Sequence, residues 1–175
     1  MKFLMKIVFS TLLCFMIGSM IAQSQNHRDK ENEDKPKQDS LMLVGRFSFE
    51  NWQKEMNWQL DSNYHIDTHK LNEFDDLIAK NNNSFLIFAG SWCKDSRSEL
   101  PKIMELFKEA NLNESKYELL GVDRMKFEPS GKYLEYKIER VPTLIILKDG
   151  NEIGRIIEYP QKEWVDDIIE IIKNK

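Results

Sequence analysis

The chain has 175 residues, 41% of them apolar, enough for one packed domain with additional segments. Its 25 basic and 29 acidic residues leave a net charge of −4, which excludes a sequence-independent nucleic-acid binder. Seven glycines and two cysteines exclude a collagen-like chain and a disulfide scaffold. No heptads are sustained, and nothing repeats at a period of about 20–50 residues.

The chain opens with Lys2 and Lys6, followed by an uncharged, almost wholly apolar stretch from Ile7 to Ala22. The small-residue end at Ser19-Met20-Ile21-Ala22 completes the layout of an export signal, expected over residues 1–22. The stretch is short of the ~20 residues a bilayer span needs, so membrane association is expected only if it stays uncleaved. Leu13 stands where a lipid-modified Cys14 would want a small residue, which argues against a lipoprotein. Cleavage would remove two lysines, Cys14 and no acid, leaving a charge of −6 and one cysteine, Cys93. The expected compartment is periplasmic or secreted. A solitary thiol there is worth attention, because exported chains usually pair their cysteines.

Residues 23–40 carry no large apolar side chain and read as a disordered tether. Residues 41–66 read as an N-terminal extension of a domain over 67–175. Leu41–Val44 suggests a strand, and Phe49, Trp52 and Met56 fall at helical spacing. Phe49, Trp52 and Trp58 are read as core or lid residues. Asp67 or Thr68 caps the next helix, with Leu71, Phe74, Leu77 and Ile78 on its apolar side. Asn81–Asn83 breaks the pattern, and Phe85–Ala89 is a continuous apolar run, as in a strand buried on both faces. A helix is expected from Cys93 to Asn111, kinked at Pro101. A strand over Tyr117–Val122, a loop over 124–129 and a short helix over Ser130–Lys137 follow. Thr143–Leu147 is a third buried strand, and Asp149-Gly150 turns into a return strand over Glu152–Glu158. A last helix carries Trp164, Val165, Ile168, Ile169 and Ile172. This order predicts an α/β fold, a mixed central sheet flanked by helices on both faces.

The segment Trp92-Cys93-Lys94-Asp95-Ser96-Arg97 lies at a strand-to-helix junction. A cysteine at a helix N-terminus meets unpaired backbone N–H groups and the positive end of the helix dipole, both of which favour thiolate. Lys94 and Arg97 push the same way and Asp95 pushes back. Ser96, one turn on, is expected to face Cys93 and donate its hydroxyl to the sulfur. Cys93 and Ser96 are thus the candidate catalytic pair, with Lys94, Asp95 and Arg97 tuning the thiolate. The plain alternative is that Cys93 is a small buried hydrophobe.

Residues 85–173 resemble the thioredoxin superfamily. The run from Phe88 to Arg97 looks like that family's strand and W-C-x-x-C motif, with Ser96 in place of the second cysteine. Pro101 is similar to its helix proline, and Arg97, Glu99 and Pro101 look like an exported, TlpA-like branch. Val141-Pro142-Thr143, followed by a strand and Lys148-Asp149-Gly150, resembles its cis-proline segment and hairpin. The resemblance implies the thioredoxin fold, with Cys93 as nucleophile and Trp92, Val141, Pro142 and Thr143 forming the client-binding surface. It implies a cis Pro142 against Cys93 and Val141 backbone groups open to an extended client. Two departures matter. Ser96 removes the resolving thiol, so release from a mixed disulfide needs an outside thiol. Ile87 stands where dithiol members often hold a buried acid.

The expectation is therefore an exported protein with monothiol thiol–disulfide exchange, acting on exported proteins or small thiols bearing disulfides. Its alternative is a non-catalytic client-binding module. No cofactor and no nucleic-acid partner are expected. His65 and His69 are not read as metal ligands, because the expected helix starts between them. Trp92 and the export signal argue against an iron–sulfur monothiol glutaredoxin. Gly90, where a hydroxyl is wanted, argues against a peroxiredoxin.

Overall fold

The computed structural model of the chain describes residues 42–61 and 63–175. The export segment and the tether expected over 1–40 lie outside those residues. Among the described residues no helix is long and apolar enough to cross a membrane.

In chain order the elements are β1 (Gly45–Phe47), α1 (Phe49–Met56), α2 (Thr68–Lys80), β2 (Asn83–Ala89), α3 (Lys94–Glu109), β3 (Tyr117–Gly121), α4 (Lys132–Glu135), β4 (Thr143–Lys148), β5 (Asn151–Ile157) and α5 (Trp164–Lys173). A single turn of 3-10 helix, Glu114–Lys116, precedes β3. The five strands form one mixed sheet in the order β1-β3-β2-β4-β5. β2 and β3 run parallel, joined by α3 as the crossover that parallel neighbours need. The other pairs are antiparallel.

The apolar patterning explains the layers. Alternate residues of β2 serve opposite faces. Phe85, Ile87 and Ala89 join Leu119, Leu144 and Ile146 under α1, α2, α3 and α5 in the main core. Leu86 and Phe88 join Leu120, Val122, Ile138, Val141 and Ile145 in a smaller cluster on the other face. Cys93 and Trp92 pack against this second cluster, so the site borders the thinner layer. Trp52 and Trp58 are buried, with ring centroids 5.7 Å apart, and belong to the main core. Asp67 caps α2 by accepting the His69 and Lys70 N–H groups.

Three local expectations shift. The first strand forms at Gly45–Phe47 rather than at Met42–Val44, and Leu41 lies outside the described residues. The Leu43 N–H is spent on Ser91 Oγ, 3.0 Å away, instead of on a strand ladder. The helix expected over Ser130–Lys137 contracts to Lys132–Glu135, because Gly131 (φ 80°) and Lys137 (φ 52°) are left-handed at its two sides. The buried carboxylate of Glu128 accepts the Ser130 and Tyr133 N–H groups and fixes that turn. Finally, α3 runs from Lys94 to Glu109 and continues through a buried Pro101, with Cys93 as its N-cap.

Gly121 is where the extension and the sheet come closest. A Cβ there would lie 2.3 Å from the Leu43 carbonyl oxygen and 3.1 Å from the Trp52 ring. Backbone cannot step aside as a side-chain tip can. Gly121→Ala is therefore expected to lower stability by about 2–3 kcal/mol. It should also loosen the Leu43–Ser91 link to the site. A urea midpoint within error of the unmodified chain would refute this.

Candidate functional site

The site is assembled from four segments. The first is the turn from β2 into α3. Ala89 ends the strand, and Gly90 leaves room for the Trp92 ring, which would lie 2.9 Å from any Cβ placed there. The Cys93 N–H donates to the Gly90 carbonyl at 2.9 Å and closes the turn. The indole N–H of Trp92 donates to the Val122 carbonyl at 2.9 Å, tying the turn to the end of β3.

Cys93 is half-buried and its thiol is free. Its backbone caps α3, and its carbonyl accepts the Arg97 N–H at 3.0 Å. Its side chain makes no capping bond. The sulfur instead turns toward the second segment, the Val141–Pro142 loop, and donates to the Val141 carbonyl at 3.3 Å. The expectation that helix N–H groups hold the sulfur is corrected: the peptide across the groove engages it.

Ser96 also differs from its expected role. It is fully buried, and its Oγ accepts the Gly90 N–H at 3.0 Å. No hydrogen bond joins it to Cys93 among the described residues. A serine one turn into a helix readily returns to a nearby orphan amide, and Gly90 supplies one. Ser96 therefore braces the turn that carries Cys93.

The Val141–Pro142 peptide bond is cis. The side chains of Val141, Pro142 and Thr143 are all buried. The Thr143 hydroxyl donates to the Arg140 carbonyl at 2.7 Å, so it supports the loop from within rather than meeting a client. The Val141 carbonyl, expected to be open to a client, is occupied by the Cys93 thiol. The Pro142 carbonyl accepts the Glu158 N–H at 2.7 Å, which brings in the third segment, the chain after β5.

In that segment Tyr159 donates its hydroxyl to the Asp95 carboxylate. This hydrogen bond, more than desolvation, pushes the Tyr159 phenol up to about 12. The sign is that of a neutral form favoured by folding. The contribution is present below the unfolded phenol value of about 10 and is lost as pH rises through about 12. In alkaline titration, one tyrosine is expected to ionise late, and Asp95→Asn to bring it back toward about 10. An unchanged phenolate absorbance curve in that variant would remove the assignment.

The fourth segment is the loop after β3. The Arg124 guanidinium lies 5.0 Å, and the Lys126 ammonium 5.3 Å, from the centre of a Trp92 ring. Lys94 and Arg97 are exposed on α3. Neither has a carboxylate partner, and neither hydrogen-bonds the sulfur, among the described residues. Tyr159, Arg124 and Lys126 carried no signal in the sequence, because Tyr159 reaches the site from the chain after β5 and the two cations from the loop after β3, both distant from the Cys93 motif. No group of three or more His, Cys, Asp or Glu side chains suited to a metal occurs among the described residues.

The chain is similar to known proteins. The thioredoxin of Chlamydia pneumoniae is 28% identical over 83 residues, covering 47% of this chain and 74% of that protein. The H-type thioredoxin of Fagopyrum esculentum is 30% identical over 92 residues, covering 51% of this chain and 74% of that protein. The crystal structure of oxidised mitochondrial thioredoxin 3 from Saccharomyces cerevisiae aligns over 60% of this chain and 90% of its own, at 24% identity and a TM-score of 0.38. The family model for thioredoxin spans residues 65–173, well over half of the chain, and the protein belongs to the thioredoxin family.

Proposed function

We propose that this protein is an exported thioredoxin-family member that performs thiol–disulfide exchange through one sulfur. The observation that carries the reading is the setting of Cys93: a half-buried free thiol beside the Val141–Pro142 loop, with a serine at the position one turn on. Export rests on the basic start and apolar run of residues 1–22.

The chemistry balances without a second cysteine. Cys93 loses its proton to solvent and its sulfur attacks one sulfur of a client disulfide. The Cys93–client S–S bond forms, the client S–S bond breaks, and the departing client thiolate takes a proton from water. For isomerisation, a second client cysteine then attacks the client sulfur bonded to Cys93, forming a new client disulfide and releasing Cys93. For removal of a small-thiol adduct, Cys93 attacks the adduct's sulfur instead, the client leaves as a thiol, and a second small thiol attacks that sulfur, releasing Cys93 and a small-molecule disulfide. The client is isomerised or freed of a thiol adduct, and Cys93 ends as it began.

A second reading, a non-catalytic client-binding module, is favoured by one observation: the sulfur is engaged as a donor to Val141 and by no amide of α3. The two separate in one experiment. The chain is incubated with a peptide whose cysteine carries a mixed disulfide, and adducts are resolved by mass. Exchange predicts a covalent adduct on Cys93 that added thiol reverses and that Cys93→Ala abolishes. Absence of an adduct, with peptide binding unchanged in Cys93→Ala, would select the binding module.

A further inference from the structure

We infer that the lip formed by Trp92, Arg124 and Lys126 beside Cys93 selects clients whose disulfide is flanked by carboxylate side chains, presented on an extended acidic peptide segment. The inference rests on the exchange reading above and specifies its client.

The lip is built in advance of any client. The Asp123 carboxylate accepts the Met125 N–H at 2.8 Å and the Phe127 N–H at 2.9 Å. The Asp123 N–H donates to the Phe127 carbonyl, and the Lys126 N–H to the Asp123 carbonyl. Lys126 itself is left-handed (φ 69°), and its ammonium donates to the Arg124 carbonyl at 3.2 Å. Two cations are thus held over one indole, a geometry that attracts them to the ring face. Side chains already ordered lose little entropy on binding.

Charge is distributed unevenly around the sulfur. Glu158 is paired with Arg140 at 2.9 Å, Asp95 and Asp123 accept from a hydroxyl and from amides and keep their charge, and Glu139, two residues before Val141, is exposed. Lys94, Arg97 and Arg124 are exposed and have no carboxylate partner among the described residues. Together with Lys126, these cations outnumber the charged Asp95, Asp123 and Glu139 on the segments around the thiol, in a chain of net charge −4. Such a field speeds encounter with anionic partners and disfavours cationic ones. Met125, 83% exposed, and Phe127, 46% exposed, add apolar surface beside the charges, which suits a peptide better than a small anion.

The test uses the full chain and three peptides. Each carries one cysteine in a disulfide with the same neutral small thiol, and the flanks are acidic, neutral or basic. The rate of Cys93 adduct formation is read for each. At low salt the acidic peptide is expected to react about tenfold faster than the basic one. The ratio should fall toward one at about 1 M salt, where charges are screened beyond ~3 Å. Joint replacement by Arg124→Gln and Lys126→Gln should level the ratio, and Arg124→Glu with Lys126→Glu should invert it. Because the ratio is taken within one variant, any change in sulfur reactivity cancels. A ratio near one in the unmodified chain, or one that neither double variant moves, overturns the inference while leaving exchange intact. Glutathione disulfide reacting faster than all three peptides, with the peptides equal, would assign the lip to small anionic thiols and overturn the peptide client. Failure of the neutral peptide to form any adduct would instead bring down the exchange reading itself.

Discussion

Replacing Ser96 with cysteine is expected to turn a long-lived Cys93–client disulfide into one that resolves unaided. Ser96 lies one helical turn beyond Cys93 at the start of α3 and is fully buried. Side chains three apart at a helix start are neighbours, with Cβ atoms about 5–6 Å apart, and a small backbone shift at the N-cap brings such a pair to bonding distance. The new thiol would attack Cys93 Sγ, form an intramolecular disulfide and expel the client as a free thiol. Two electrons pass from the two protein thiols to the client disulfide, so each chain turns over once unless a dithiol reductant is added. Oriented groups gain effective concentrations far above any added thiol, so adduct decay without external thiol should accelerate by about 10³-fold or more.

The exchange has a structural cost. Ser96 Oγ accepts the Gly90 N–H at 3.0 Å, and sulfur is a weaker acceptor. A loss of about 1 kcal/mol is expected, visible as a lowered urea midpoint. Ser96→Ala provides the control. It loses the same hydrogen bond but has no thiol, so its adduct should persist as in the unmodified chain. Equal adduct lifetimes in the cysteine and alanine variants would mean that position 96 does not reach the sulfur.

Most of the sheet was legible because its strands announce themselves by burial. Phe85–Ala89, Tyr117–Val122 and Thr143–Leu147 are unbroken or nearly unbroken apolar runs, and each became a strand within two residues of the expected ends. Helices with a capping acid and a spaced apolar face, such as α2 behind Asp67, were equally clear. The site was legible only as a location. Which way its side chains point depends on partners distant in the chain. Leu43 reaches Ser91 across 48 residues, and Cys93 reaches Val141 across the same separation. Tyr159 meets Asp95 across 64. Local periodicity reports whether a segment is buried, but it carries no term for a hydroxyl choosing Gly90 over a neighbouring sulfur. The cationic lip is hidden for the same reason. Arg124 and Lys126 look like ordinary loop charges until the Asp123 turn sets them over Trp92.

Glu99→Ala is expected to lower stability by about 2–4 kcal/mol, the largest loss from any single acid in α3. Glu99 is 4% exposed, a burial that acids tolerate only when their oxygens are occupied. One oxygen accepts the indole N–H of the fully buried Trp164 at 3.0 Å, fastening the first residue of α5 to α3. The other accepts Lys102 at 2.8 Å and the Ser98 hydroxyl at 2.9 Å. Truncation strands the indole N–H away from water and leaves a gap beside it. Lys102, whose side chain is 29% exposed, can turn outward to solvent and loses little. The burden therefore falls on the indole. Glu99→Gln keeps a carbonyl oxygen for Trp164 and should cost only about 1 kcal/mol. Lys102→Ala should cost less than about 1 kcal/mol, as for a partly exposed ion pair. Urea unfolding should rank the chains with the unmodified protein and Lys102→Ala highest, Glu99→Gln below, and Glu99→Ala lowest. If glutamine proves as damaging as alanine, the negative charge and not the indole acceptor holds these two helices together.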